Sequence, residues 1–116
     1  MTTTYENFLE RVINESIAAA KDDYRSPESA QKLEGSIAGL EACRGKSPIQ
    51  LESILVNARH VTSEACLLNY KDRWKHRCYE IEVERVVSLI TQFIHAITKK
   101  TTRRTIEVQG EVHGNL

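Results

Sequence analysis

The densest candidate for chemistry in this sequence is the run from Tyr70 to Tyr79, which interleaves aromatic and basic side chains. Aromatic rings can stack on nucleic-acid bases, and arginine or lysine can neutralise phosphates. The pattern therefore favours a site for a nucleotide or another phosphate-bearing ligand. The residues predicted to hold phosphate or to stack on a base are Arg73, Trp74, Lys75, His76, Arg77 and Tyr79.

The same run also has the spacing of a purely structural helix. Trp74, Cys78 and Ile81 share one helical face and would then pack in the core. A second face combines bases and acids, whose pairing along a helix would contribute about 0.2–0.5 kcal/mol for each pair. Its members are Arg73, Arg77, Glu80 and Glu84. Both interpretations stay open at the level of sequence.

A second anion site is predicted at the turn around Gly45, which is flanked by Arg44 and Lys46. This turn leads into the start of a helix, where free backbone N–H groups can bind an anion. The turn is not a nucleotide triphosphatase loop, since Gly39 lies one residue too early for the GxxxxGK[ST] pattern. The same corner could be a DNA-reading helix–turn–helix. Gln50 is the only natural base reader at the start of its second helix.

Catalytic and metal-binding patterns are weak. The three cysteines, Cys43, Cys66 and Cys78, form no CxxC pair, and we expect them to be reduced and buried. No histidine follows the Glu-x-x-His spacing of helical di-iron sites. We therefore predict a binding protein rather than an enzyme, with no catalytic residue, metal or cofactor.

Helix start and stop signals predict that residues 1–100 form an all-α bundle of about four helices. Thr3 and Glu6 have the spacing of a capping box, and the first apolar stripe ends near Tyr24. Ser26-Pro27 and Ser47-Pro48 each resemble a helix start, and Gly45 resembles the end of a helix. A break is expected near 69–72, with Asn69 ending one helix and Asp72 capping the next, although one long helix from 48 to 98 stays possible.

Gly35 and Gly39 lie four residues apart inside the second predicted helix. A glycine in a helix costs about 1 kcal/mol relative to alanine. Close approach of another helix to this smooth strip would compensate for that cost, and a merely weak helix is the alternative.

Residues 101–116 change character. From Thr101 to Gln109 the sequence alternates and is rich in β-branched residues, which predicts a short extended arm, partly β, with a frayed end. A lone strand needs a partner for its backbone groups. We therefore expect a homo-oligomer in which this arm crosses between protomers.

The charges cancel overall, because sixteen acidic residues balance sixteen basic residues. They are unevenly spread: residues 1–24 hold two bases and five acids, whereas 95–105 hold four bases and no acid. The start of the chain lacks the order of a signal peptide, and no apolar stretch is long enough for a membrane helix. These features predict a cytoplasmic protein with no membrane partner.

Two segments carry a resemblance to known proteins. The string Gly39–Pro48 (GLEACRGKSP), followed by Trp74–Glu80 (WKHRCYE), resembles small uncharacterised proteins of bacteriophage and prophage genomes. The resemblance covers roughly residues 30–89. It implies a bacterial host cell and an accessory viral role, such as inhibition of host defence. Proteins of that class include helical oligomers that sequester cyclic nucleotide signals and others that block a host defence protein directly.

Overall fold

Four α-helices form the part of the chain described by the computed structural model: the backbone of residues 3–65 and 69–113, and the side chains of 3–65, 69 and 72–99. They are α1 (Thr4–Asp23), α2 (Ala30–Cys43), α3 (Pro48–Glu64) and α4 (Tyr70–His113). No strand occurs in these ranges, so the predicted all-α bundle is confirmed.

Three of these helices begin where the sequence supplies a capping side chain. Thr3 and Ser47 each form a complete capping box, with Glu6 and Gln50 respectively. Asn69 caps α4, since its side-chain oxygen accepts from the N–H of Asp72 at 3.0 Å. The helix break predicted near Asn69 is therefore confirmed, but Asn69 rather than Asp72 is the cap.

The connections between the helices follow local backbone chemistry. Gly45 adopts a φ of 71°, as expected of a left-handed residue at the end of a helix. Ser26 makes no side-chain cap, and its hydroxyl lies 3.1 Å from that of Ser29 instead. The predicted restart at Ser26-Pro27 is therefore a short 3-10 turn, and α2 begins three residues later, at Ala30.

The core lies along one face of α4. Its fully buried side chains come from all four helices: Leu9 and Ile13 from α1, Leu40 and Cys43 from α2, Leu51 from α3, and Val83, Val86 and Ile90 from α4. Among the described residues, none of the helices combines the length and apolar content needed to cross a bilayer.

The glycine strip of α2 lies directly against the backbone of α4. A Cβ placed on Gly39 would lie 2.6 Å from the carbonyl oxygen of Tyr79, and one on Gly35 would overlap the carbonyl oxygen of Lys75. The predicted close approach is therefore confirmed. Because both contacts advance by four residues, α2 and α4 run in the same direction here.

The other two long helices, α1 and α3, pack on α4 in the antiparallel direction. In α1, Phe8 stacks on Phe93 of α4, with the ring centroids 4.2 Å apart and the planes 7° from parallel. In α3, the hydroxyl of Thr62 donates to the carbonyl of His76 at 3.3 Å, whereas Leu51, at the other end, lies beside Ile90. Tyr24, which directly follows α1, lies beside Cys78 of α4. Both helices therefore begin beside the middle of α4 and end near its start.

The extended arm expected from Thr101 onward is not found, because α4 continues as a helix to His113. No proline occurs after Pro48, and no glycine occurs between Gly45 and Gly110. Extending an existing helix costs far less than starting one, and β-branched residues lower helix propensity only slightly. Continuation of α4 therefore prevails over the alternating pattern. Residues 114–116 of the predicted arm lie outside the described residues.

Candidate functional site

A groove of about 410 Å³ opens where α4 crosses the glycine strip of α2 and the end of α3. Its walls are mainly apolar, with a few polar side chains. The lining residues are Gly35 and Ala38 of α2, Ile54, Asn57, Ala58 and Val61 of α3, and Lys75, His76 and Tyr79 of α4. Three of the residues predicted from sequence to bind a ligand are thus brought together.

Lys75 contributes the positive charge of this groove. Its ammonium group lies 2.8 Å from a carboxylate oxygen of Glu34, the residue before Gly35 in α2. Both side chains are partly exposed, at 37% for Lys75 and 58% for Glu34. Because exposed ion pairs of this kind contribute at most about 1 kcal/mol, an anionic ligand could displace the carboxylate.

His76 and Tyr79 provide the two aromatic rings of the groove. Both side chains are half-buried. Burial raises the pKa of the Tyr79 hydroxyl, and the nearby Cys43 raises it further, so this hydroxyl stays protonated and can donate a hydrogen bond. The carbonyl of His76 accepts from Thr62, which ties this turn of α4 to α3.

Three other residues of the predicted set do not line the groove. Arg73 and Arg77 lie on the exposed face of α4, where Arg77 pairs with the buried carboxylate of Glu80 at 2.7 Å. Trp74 is 36% exposed, and the ammonium of Lys32 lies 4.5 Å from its ring centre. The alternative interpretation, in which Trp74, Cys78 and Ile81 pack together in the core, is therefore confirmed only in part. Cys78 is buried as that alternative expected, whereas Ile81 remains 40% exposed.

Arg44 and Lys46 lie at the other end of α2, well away from the groove. Nine residues of helix separate Gly35 from Arg44, which corresponds to about 13 Å. The guanidinium of Arg44 pairs with Glu41 and Glu10 and donates to Asn14 at 3.1 Å. This arginine therefore ties α2 to α1.

Lys46 lies at the corner that joins α2 to α3. Its backbone carbonyl accepts from the hydroxyl of Tyr5 at 2.7 Å, so the corner is held against the start of α1. Lys46 and Gly45 also line a separate groove between this corner and α1. The predicted ligand-binding residues thus fall into three sets: those that line the groove, those on α4 outside it, and those at the corner around Gly45.

The corner at Gly45 places few base-reading groups at the start of α3. The side-chain oxygen of Gln50 accepts from the backbone N–H of Ser47 at 2.9 Å. The one side chain that the sequence offered for reading a base therefore serves as a helix cap.

Sequence reasoning assigned no ligand role to the α3 wall or to Glu34. Ile54, Ala58 and Val61 have the three- and four-residue spacing of a buried helical face, yet Val61 is 44% exposed. Asn57 and Glu34 had no distinguishing spacing, because single polar residues recur throughout these helices. Only the crossing of α2 and α4 at the glycines brings them to the same groove.

Two of the cysteines are free and buried, Cys43 and Cys78. Burial raises the pKa of Cys43 to about 11 and also raises that of Cys78, so both thiols stay protonated and poorly nucleophilic near neutral pH. Cys66 lies outside the described residues. No cluster of three or more histidine, cysteine or acidic side chains suited to a metal occurs among those described.

Comparison with known proteins identified no relative of this chain. Neither a protein-family model, nor a curated protein, nor a solved structure matches the chain. The groove and its side chains are therefore the basis for any functional argument.

Proposed function

We propose that this protein binds a phosphate-bearing ligand, most simply a nucleotide signal, in the groove between α2, α3 and α4. The observation that carries the proposal is the meeting of Lys75, His76 and Tyr79 in one mainly apolar groove of about 410 Å³. Small-ligand sites have typical volumes of about 300–1,000 Å³ and combine apolar walls with a few polar groups. The groove has this size and character.

The phosphate and the base of a nucleotide each have a matching group. The Lys75 ammonium would bind a phosphate in place of the Glu34 carboxylate, and the ring of Tyr79 or His76 would stack on the base. Arg73 lies three residues before His76 on α4, is exposed, and has no ion pair with a carboxylate among the described side chains. It would therefore add a second phosphate contact where a ligand extends from the groove onto the exposed face of α4.

The proposal is tested by titrating the protein with a panel of cyclic mononucleotides and cyclic dinucleotides. Trp74 is the only tryptophan and lies one residue from Lys75, so its fluorescence reports on binding. A true ligand at a hundredfold excess over its dissociation constant should add about 2.7 kcal/mol to the free energy of unfolding. A panel that changes neither fluorescence nor melting temperature would contradict the proposal.

The resemblance to phage proteins suggests where this binding would take place. In the cytoplasm of an infected bacterium, a small protein that binds a nucleotide defence signal would lower its free concentration without any catalysis. Under this proposal the protein is an accessory viral protein that sequesters the signal.

A second candidate function is direct inhibition of a host defence protein. Its support is an apolar face of α3, where Ile49 is 81% exposed and Val56, seven residues later on the same face, is 63% exposed. Under this alternative, Val56→Lys should abolish binding to that protein without changing the melting temperature. Lys75→Ala, by contrast, should leave the binding intact.

A further inference from the structure

The second half of α4 extends beyond the rest of the bundle. α4 has 44 residues, which corresponds to about 66 Å, whereas α1 has 20 residues. α1 begins beside Phe93, and α3 begins beside Ile94. Among the described residues, no other helix accompanies α4 from 98 to 113, a length of about 24 Å. We refer to 98–113 as the projecting segment.

The projecting segment lacks the packing that stabilises the rest of α4. Most of the stability of helices in proteins comes from packing of one face against other elements rather than from helix propensity. Four threonines, an isoleucine and two valines lie in the projecting segment, and none of these is a strong helix former. A surface to pack against would therefore stabilise this segment.

A matching surface lies on the bundle just before the projecting segment. Ile94 and Ile97 are three residues apart on α4 and are 37% and 45% exposed. Ile94 also lines a groove of about 210 Å³ between α4 and the start of α3. It is lined by Pro48, Leu51, Glu52, Val87, Ile90, Thr91 and Ile94.

Charge favours one occupant and one orientation. All four lysines and arginines of the projecting segment lie between 99 and 104, and its two acids, Glu107 and Glu111, follow that basic stretch. The start of α3 holds one acid, Glu52, and no base before Arg59. A second copy in antiparallel orientation brings the basic stretch beside Glu52, whereas a parallel copy brings the two basic stretches together, and these repel each other.

We propose that a second copy of this chain lays its projecting segment antiparallel along the α3–α4 groove, with a two-fold axis close to Ile97. Residues 98–113 of one copy then lie beside 81–96 of the other, and the same contact is made twice. Ile94 and Ile97 become buried, and both projecting segments gain a packing surface. This interface is separate from the ligand groove, so it does not depend on the proposed nucleotide.

Light scattering coupled to size exclusion tests the interface on the full chain. The wild-type protein should have twice the 13.2 kDa mass of one chain. Ile97→Glu should give single copies, whereas Val56→Glu, which adds the same charge at an exposed site on α3, should leave the doubled mass unchanged. A single-copy wild type, or a doubled mass in Ile97→Glu, would overturn the proposal.

Cross-linking tests the orientation. A mixture of ¹⁴N- and ¹⁵N-labelled chains, treated with a zero-length carboxyl–amine cross-linker, should yield mixed-isotope links between Glu52 and Lys99 or Lys100. The antiparallel arrangement would be contradicted if every link between these residues contained a single isotope. It would also be contradicted if a protein of doubled mass gave no such link. Circular dichroism should show reduced helix content in Ile97→Glu, because an unpaired projecting segment loses its packing.

Discussion

Gly35 of α2 lies so close to Lys75 of α4 that its missing side chain is what allows the two helices to meet. A Cβ on Gly35 would overlap the carbonyl oxygen of Lys75 and lie 3.0 Å from its Cα. The same contact places Lys75 beside Glu34 and opens the ligand groove on the side of α3. Helix packing and the candidate site therefore depend on one pair of residues.

Gly35→Ala should destabilise the protein. Alanine improves helix propensity by about 1 kcal/mol, so a merely weak helix would become more stable. Here the added methyl group meets backbone, which cannot rotate away, and we expect a net loss of about 1–3 kcal/mol. Urea unfolding measures this change. Gly45→Asn is the comparison, because Gly45 has open space around it and asparagine tolerates its positive φ, so little stability should be lost.

Glu34→Gln should tighten binding of an anionic ligand. The Glu34 carboxylate neutralises Lys75 in the free protein, and a phosphate must displace it. An exposed ion pair contributes about 0.2–1 kcal/mol. Removing the competing carboxylate should therefore lower the dissociation constant of the ligand by a factor of roughly one and a half to five, which calorimetry measures. Glu15→Gln removes the same charge from an exposed position on α1 and should leave the constant unchanged. Equal affinities in all three proteins would mean that phosphate does not bind at Lys75.

Glu82→Gln should stabilise the protein at neutral pH. Glu82 is buried, one of its carboxylate oxygens has no hydrogen-bond partner among the described residues, and the other lies 3.3 Å from Arg85. Burial raises the pKa of this carboxyl, and Arg85 offsets the effect only in part. A raised pKa stabilises the folded state below the carboxyl's ordinary pKa, and that contribution is lost as the pH rises through the higher folded value.

The pH dependence distinguishes this explanation from a general effect of charge. The stability difference between Glu82→Gln and wild type should be largest near pH 7 and should shrink toward pH 4, where Glu82 itself becomes neutral. Denaturant midpoints across this range provide the measurement. Glu84→Gln, at an exposed neighbouring position, should show no such trend. A Glu82→Gln protein that is less stable than wild type at pH 7 would refute the argument.

Cys43 and Cys78 should resist alkylation in the folded protein. Their thiols are buried and their pKa values are raised, that of Cys43 to about 11, so little thiolate forms at pH 8. Iodoacetamide labelling followed by peptide mass spectrometry should find both unmodified until denaturant is added. Rapid labelling of Cys43 in the native protein would argue against a structural role and in favour of a reactive thiol.

Much of the helical framework was predictable because its signals are local. Capping boxes at Thr3 and Ser47 and the left-handed Gly45 each act within a few residues. The contact of Gly35 and Gly39 with α4 is long-range, but the four-residue spacing of the two glycines is itself a local signal. The end of α4 was not predictable in this way. Alternating β-branched residues favour a strand only where a neighbouring strand pairs with them, and none is found among the described residues.

The candidate site was predictable in part. Aromatic and basic residue types pointed to Tyr70–Tyr79, but a helix distributes such a run around its axis. Lys75, His76 and Tyr79 therefore line the groove, whereas Arg73 and Arg77 lie on the exposed face. Pairing of Arg44 with Glu10, thirty-four residues away, depends on how α1 packs against α2, which no local pattern specifies.

The most direct test compares one ligand across three proteins. Calorimetry should give the dissociation constant of the tightest nucleotide in the panel for wild type, Lys75→Ala and Arg44→Ala. Loss of a charged hydrogen bond costs about 1.5–3 kcal/mol, so Lys75→Ala should bind at least about tenfold more weakly. Arg44→Ala, which removes a positive charge far from the groove, should bind as wild type does. Unchanged affinity in Lys75→Ala, or an equal loss in Arg44→Ala, would contradict ligand binding in this groove.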